Sequence, residues 1–131
     1  TFEDELKTLR DNWSNHDFFY VHVKQTDSSG EDGDFDRKVR VIEEVDENLP
    51  KLLDLKPDVL LVTGDHSTPA VLKGHSWHPV PLLLHSLYCR RDTASEFSET
   101  ACATGGLGRI RAVDMMPLAL ANALKLGKFG A

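Results

Sequence analysis

The stretch PDVLLVTGDHSTPA, residues 57–70, decides the reading of the fold. Its first half is an apolar, β-branched run closed by Gly64, the pattern of a strand buried on both faces. Its second half begins at once with Asp65 and His66, two chemistry-bearing residues where the strand should end. Working outward, Pro79–Ser86 (PVPLLLHS) and Asp17–Val23 (DFFYVHV) read as two further strands, rich in apolar and aromatic residues. Phe2, Leu6, Leu9 and Trp13 recur at helical spacing with Thr1 placed to cap them. Phe35, Val39, Ile42, Val45 and Leu49 mark a second amphipathic helix that Pro50 should break or kink near its end. Asp114 should cap a last helix carrying Met115, Leu118, Leu120 and Leu124 and stopping at Gly127. The alternation of helices and strands predicts an α/β fold, a layered, mainly parallel sheet flanked by helices. In such sheets ligands bind beyond the carboxyl ends of the strands.

The 131 residues suit one α/β domain, with 40% hydrophobic and 27% charged residues as in ordinary globular chains. A net charge of −6 argues against a nucleic-acid or anionic-membrane surface, and no apolar run reaches the ~20 residues that span a bilayer. No signal-peptide pattern is present, so the expected location is cytoplasmic, with Cys89 and Cys102 as reduced thiols. The chain begins at Thr1 without a methionine, which fits processing or a piece of a longer metalloenzyme. Residues 86–112 are the least regular part, and Gly105–Ile110 (GGLGRI) reads as a turn because it lacks the third glycine of a dinucleotide fingerprint.

Two predicted strand-end loops gather candidate ligands. His22–Asp34 (HVKQTDSSGEDGD) holds Asp27 and Glu31, more oxygen ligands than a turn needs. Thr63–Pro69 holds Asp65 and His66, and His75 and His78 lie just ahead of the third strand. Neighbouring residues in extended chain point to opposite sides, so Asp65 and His66 can serve two ions, or one ion and a substrate. Carboxylates with imidazoles suit Mn2+ or Zn2+, and two such ions close together can clamp a phosphoryl group. Taken singly, an aspartate after a strand is a turn former or helix cap, and His16, His78 and His85 read as surface residues. A calcium loop on Asp32, Asp34, Asp36 and Glu43 fails because Arg37 stands where its glycine must be. Ser67 and Thr68 would act as nucleophiles only with an activating base, and Ser67-Thr68-Pro69 also reads as a helix start.

The segments DFFYVHVKQTDSSGEDGD, VTGDHSTP, GHSWHPVPLLL and the ending LGKFGA are similar to the C-terminal part of the archaeal-type cofactor-independent phosphoglycerate mutases, in the alkaline phosphatase superfamily. That resemblance runs from about Asp17 to Ala131 and implies an alkaline-phosphatase-like core. It implies an isomerase interconverting 3- and 2-phosphoglycerate through a phosphoserine, with two divalent ions, Mn2+ first and Mg2+, Zn2+ or Co2+ as alternatives. Carried over by motif, Asp27 and His75 resemble ligands of one ion, and Asp65 and His66 ligands of the other. Lys24 and His75 stand where substrate charge would be met. The family usually carries GHDGD in the first loop; here the sequence is GEDGD, so Glu31 replaces a histidine ligand. The serine nucleophile and most phosphate-binding arginines of the family lie in segments with no counterpart in these residues, so no catalytic residue is assigned and the chain by itself is expected to be inactive. Two rival expectations stand beside this one: a portion of a phosphatase or other phosphoryl-transfer hydrolase of the same superfamily, and a non-enzymatic homologue with a degenerate metal site.

Overall fold

The computed structural model describes residues 1–127. The chain divides into two compact units. The last four residues of the LGKFGA ending, 128–131, lie outside the described residues.

The first unit comprises Thr1–Lys56 and His66–His78. Helix α1, Phe2–Asp11, forms where the spacing predicts it: Thr1 caps it through a capping box with Asp4, and Phe2, Leu6 and Leu9 are buried. It packs on α3, Phe35–Leu53, with Lys51 Nζ donating to Glu3 Oε1 at 2.6 Å. Two features of α3 depart from expectation. It continues three residues past Pro50, which has no N–H for the carbonyl four residues back, so one ladder bond is missing but the helix does not stop there. Its inner face keeps part of the expected stripe: Val39, Val45 and Leu49 are half-buried, but Phe35 and Ile42 are 67% and 52% exposed, and Lys38 and Val41 turn inward instead.

The acidic segment expected as an open loop is largely helical. Helix α2 spans Gln25–Asp32 and packs on α3. Its small polar residues bond back to the preceding turn, Ser29 Oγ to Gln25 O at 2.7 Å and Ser28 Oγ to Lys24 O at 3.2 Å, so the hydroxyls cap and fill rather than open the chain. Gly33, at φ 73°, ends α2 with paired bonds from Gly33 N to Gly30 O and from Asp34 N to Ser29 O. Asp34 then caps α3 through Arg37 N at 2.9 Å. The expected strand Asp17–Val23 has no strand partner among the described residues. Its alternation survives: Phe18 and Tyr20 are 60% and 73% exposed, while Phe19, Val21 and Val23 are half-buried. Extended backbone becomes sheet only when a neighbour accepts its hydrogen bonds.

The second unit comprises Pro57–Asp65 and Pro79–Ala131. Strands β1, Val59–Thr63, and β2, Leu82–Ser86, form where expected but pair antiparallel, Val59 opposite Ser86 and Thr63 opposite Leu82. The expected parallel arrangement needs a crossover, commonly a helix, and the residues joining β1 to β2 contain none. Short α4, Glu99–Cys102, is capped by Ser98. Helix α5, Met115–Asn122, packs on β1. It ends before Leu124, whose φ is 56°, and Asp114 gives it no side-chain cap because its carboxylate takes two 3.1 Å bonds from Arg111. Ser86 Oγ donates to Asn122 Oδ1 at 2.7 Å, tying β2 to α5. The irregular 86–112 segment is pinned by Asp92, which accepts from Gly106 N at 2.7 Å and Ala94 N at 2.9 Å. No helix among the described residues is long and apolar enough to cross a membrane.

Candidate metal centre

Asp27 lies in the first turn of α2 with its side chain 11% exposed. Oδ1 accepts the Thr68 hydroxyl at 2.6 Å, and Oδ2 pairs with the Lys24 ammonium. The Lys24 hydrogen bond first, and the Thr68 hydroxyl second, pull the Asp27 carboxyl down from its usual 3.8 to about 2. The carboxylate is therefore ionised and oriented before any cation reaches it.

His66 and His75 come from the loop that opposes α2. Ser76 N donates to Ser67 O at 2.9 Å in an isolated antiparallel bridge, and Ser67 Oγ donates to His78 O at 3.2 Å. Between them a turn is closed by Leu72 N and Lys73 N on Pro69 O. Ser67-Thr68-Pro69 thus opens a turn, not a helix. Each histidine stands one residue before a bridged serine, and their ring centroids are 3.8 Å apart. His75 Nε2 lies 3.6 Å and His66 Nδ1 3.9 Å from Asp27 Oδ1. Asp27, His66 and His75 each offer a ligand atom, and these atoms lie within 4.8 Å of one another. An ion with bonds of ~2.1 Å holds adjacent ligand atoms roughly 3–3.5 Å apart, so the side chains would draw closer around an ion that all three shared. One carboxylate with two imidazoles is a donor set suited to a divalent transition metal.

The other expected ligands are placed as follows. Glu31 follows Asp27 by one turn on the same face of α2, is 51% exposed and has Oε1 3.7 Å from His75 Nε2. Asp65 is exposed, belongs to the second unit and is not a member of the three-residue group. Lys24 meets Asp27 itself. His16, His78 and His85 are exposed, as expected of surface residues. Three contributors had no metal-centre role in the sequence reading, where Thr68 figures only as a conditional nucleophile or helix start: Thr68, 4% exposed between Asp27 and His66; Lys38, whose Nζ donates to Thr68 O at 2.5 Å; and Gly30, whose missing Cβ lets α2 approach that same carbonyl. A cleft of about 520 Å3 between α1 and Phe19–His22 has none of the three ligands in its lining.

Comparison with known proteins fits this donor set. Residues 1–122 match the family model of the metalloenzyme superfamily. The chain belongs to the metalloenzyme superfamily. Over its full length it is 63% identical to a probable 2,3-bisphosphoglycerate-independent phosphoglycerate mutase of Thermotoga neapolitana, and 57% identical to the protein of that name in Aquifex aeolicus. It spans 33% and 32% of those proteins, about a third of their length. A solved structure from Pyrococcus horikoshii shares the fold at TM-score 0.89 and 36% identity, over 96% of this chain and 39% of that one. In a metalloenzyme superfamily member, an ionised aspartate facing two imidazoles is a candidate site for a divalent ion.

Glu31→His adds a third imidazole beside His75 on the same helix face. If Glu31 occupies a ligand position, Zn2+ affinity should rise about tenfold, since Zn2+ favours nitrogen donors. Calorimetric titration checks this; unchanged affinity places Glu31 outside the ligand set.

Proposed function

We propose that the chain is the metal-binding portion of a phosphoglycerate mutase, a cytoplasmic glycolytic isomerase that interconverts 3- and 2-phosphoglycerate through a phosphoserine. The observation that carries this reading is full-length identity of 63% to one third of a probable mutase, together with the Asp27–His66–His75 group. On this reading the parent holds two divalent ions, Mn2+ foremost. Asp27, His75 and Glu31 serve one; Asp65 and His66 serve the other. The layered, mainly parallel sheet belongs to the parent's alkaline-phosphatase-like core.

When bound, the ions neutralise charge on the transferring phosphoryl group. The chain's own residues prepare that site. Lys24 keeps Asp27 ionised, and its ammonium stands ready to meet the phosphate or carboxylate of phosphoglycerate. The Ser67–Ser76 bridge sets the two imidazoles side by side. The nucleophilic serine is supplied by the rest of the parent, so positioned charge alone gives no turnover.

Mutase assay with Mn2+ tests this. The full-length gene product should interconvert the two phosphoglycerates, and the 131-residue chain should show none of that activity. Turnover by the chain alone would refute the assignment of a metal-binding portion, and an inactive full-length protein would refute the mutase.

A further inference from the structure

Thr68 is placed as no other hydroxyl in the described residues is. It is buried, with Oγ1 2.6 Å from Asp27 Oδ1 and 3.0 Å from His66 Nδ1. A threonine hydroxyl has one proton and two lone pairs. An ionised carboxylate only accepts, so the Thr68 proton goes to Asp27. The oxygen is then left as an acceptor, and the atom facing it at His66 Nδ1 must bring the proton. A neutral imidazole carries one N–H, so the lone pair of His66 sits on Nε2.

We propose that Thr68 is the positioning residue of the metal centre: its hydroxyl, donating to Asp27 Oδ1 and accepting from His66 Nδ1–H, fixes the carboxylate's orientation and holds His66 in the tautomer whose Nε2 ligates. This rests on the metal-centre reading for its consequence, while the tautomer itself is a property of the metal-free chain. The hydroxyl is held in place from the other side. Lys38 Nζ from α3 donates to Thr68 O at 2.5 Å, and Gly30 of α2 leaves room for that carbonyl. Two helices therefore fix the backbone of one residue, and its side chain orders two ligands drawn from separate parts of the sequence. Outer partners of metal ligands act in this way, and their loss costs about 10–100-fold in affinity.

The test uses three proteins: the wild-type chain, Thr68→Val and Thr68→Ser. Long-range proton–nitrogen NMR at pH 8 on the metal-free chain should show His66 as the Nδ1–H tautomer. Thr68→Val, which keeps shape and loses the hydroxyl, should shift His66 toward Nε2–H. Thr68→Ser should restore the wild-type signature. Calorimetry with Mn2+ should give a 10–100-fold loss for Thr68→Val and recovery to within about threefold for Thr68→Ser. An Nε2–H tautomer in the wild type, or equal tautomers and affinities in wild type and Thr68→Val, overturns the role of Thr68. Should Thr68→Val fail to fold, the wild-type tautomer and the Thr68→Ser affinity decide. Wild-type protein that binds no Mn2+ overturns the metal centre instead, and the NMR result still judges the hydroxyl.

Discussion

Asp27→Ala should abolish divalent-metal binding by the chain, with affinity falling by more than the ~100-fold that marks the loss of an outer partner. Asp27 is the sole carboxylate of the three-residue group, and its removal leaves only the half-exposed Glu31, 3.7 Å from His75, to offer an anionic oxygen beside the imidazoles. Calorimetry with Mn2+ measures the loss; retention of wild-type affinity would place the ion elsewhere. The same aspartate gives a signature in the metal-free protein. Its carboxyl titrates at about 2 against a usual 3.8, so it contributes stability that is fully present above pH 3.8 and is lost as pH falls through about 2. Asp27→Asn should therefore be less stable than wild type by ~1.5–3 kcal/mol at pH 7, the scale of hydrogen bonds to a charged group. The two proteins should converge as pH drops from 4 toward 2. Urea unfolding at those pH values follows the gap, and a gap that widens in acid would contradict the assignment.

Gly30→Ala should destabilise the first unit by ~2 kcal/mol and weaken metal binding at least about tenfold, although alanine is the better helix former by ~1 kcal/mol. A Cβ at Gly30 would stand 2.3 Å from Thr68 O and 2.9 Å from Thr68 Cγ2. The first is a backbone atom, held by Lys38, and cannot swing aside as a long side chain would. Either α2 withdraws from the loop or the loop withdraws from α2, and both movements separate Asp27 from the Thr68 hydroxyl. The sign of the stability change discriminates. In an ordinary exposed helix the substitution stabilises; here denaturant unfolding should show a lower midpoint.

Periodicity and capping located α1 correctly, because Thr1, Phe2, Leu6 and Leu9 act through contacts within one helix and its inner face. They located α3 and the inward turn of Val39, Val45 and Leu49, but not the exposure of Phe35 and Ile42, which are as apolar as the half-buried Val41; only packing against α1 and α2 makes that choice. Asp17–Val23 carries strand chemistry without a strand, because pairing depends on a neighbour that its own residues cannot supply. The acidic stretch misled for the opposite reason: serine and glycine disfavour helix locally, yet the hydroxyls bond back along α2 and Gly30 is required by a tertiary approach. The same division holds at the site. Asp27, His66 and His75 were legible as residue types in a family-like pattern. Thr68, Lys38 and Gly30 were not, because a hydroxyl, a lysine and a glycine gain meaning only from what stands within 3 Å of them.

The Lys24–Asp27 pair changes what loading this site involves. A solitary buried carboxylate would sit protonated when empty and would have to shed that proton for an incoming ion. Here an ammonium already occupies Oδ2, so arrival of a dication is an exchange of one positive partner for another, and the lysine, 60% exposed, can turn into water. Uptake then releases no hydrogen ion from Asp27 at neutral pH.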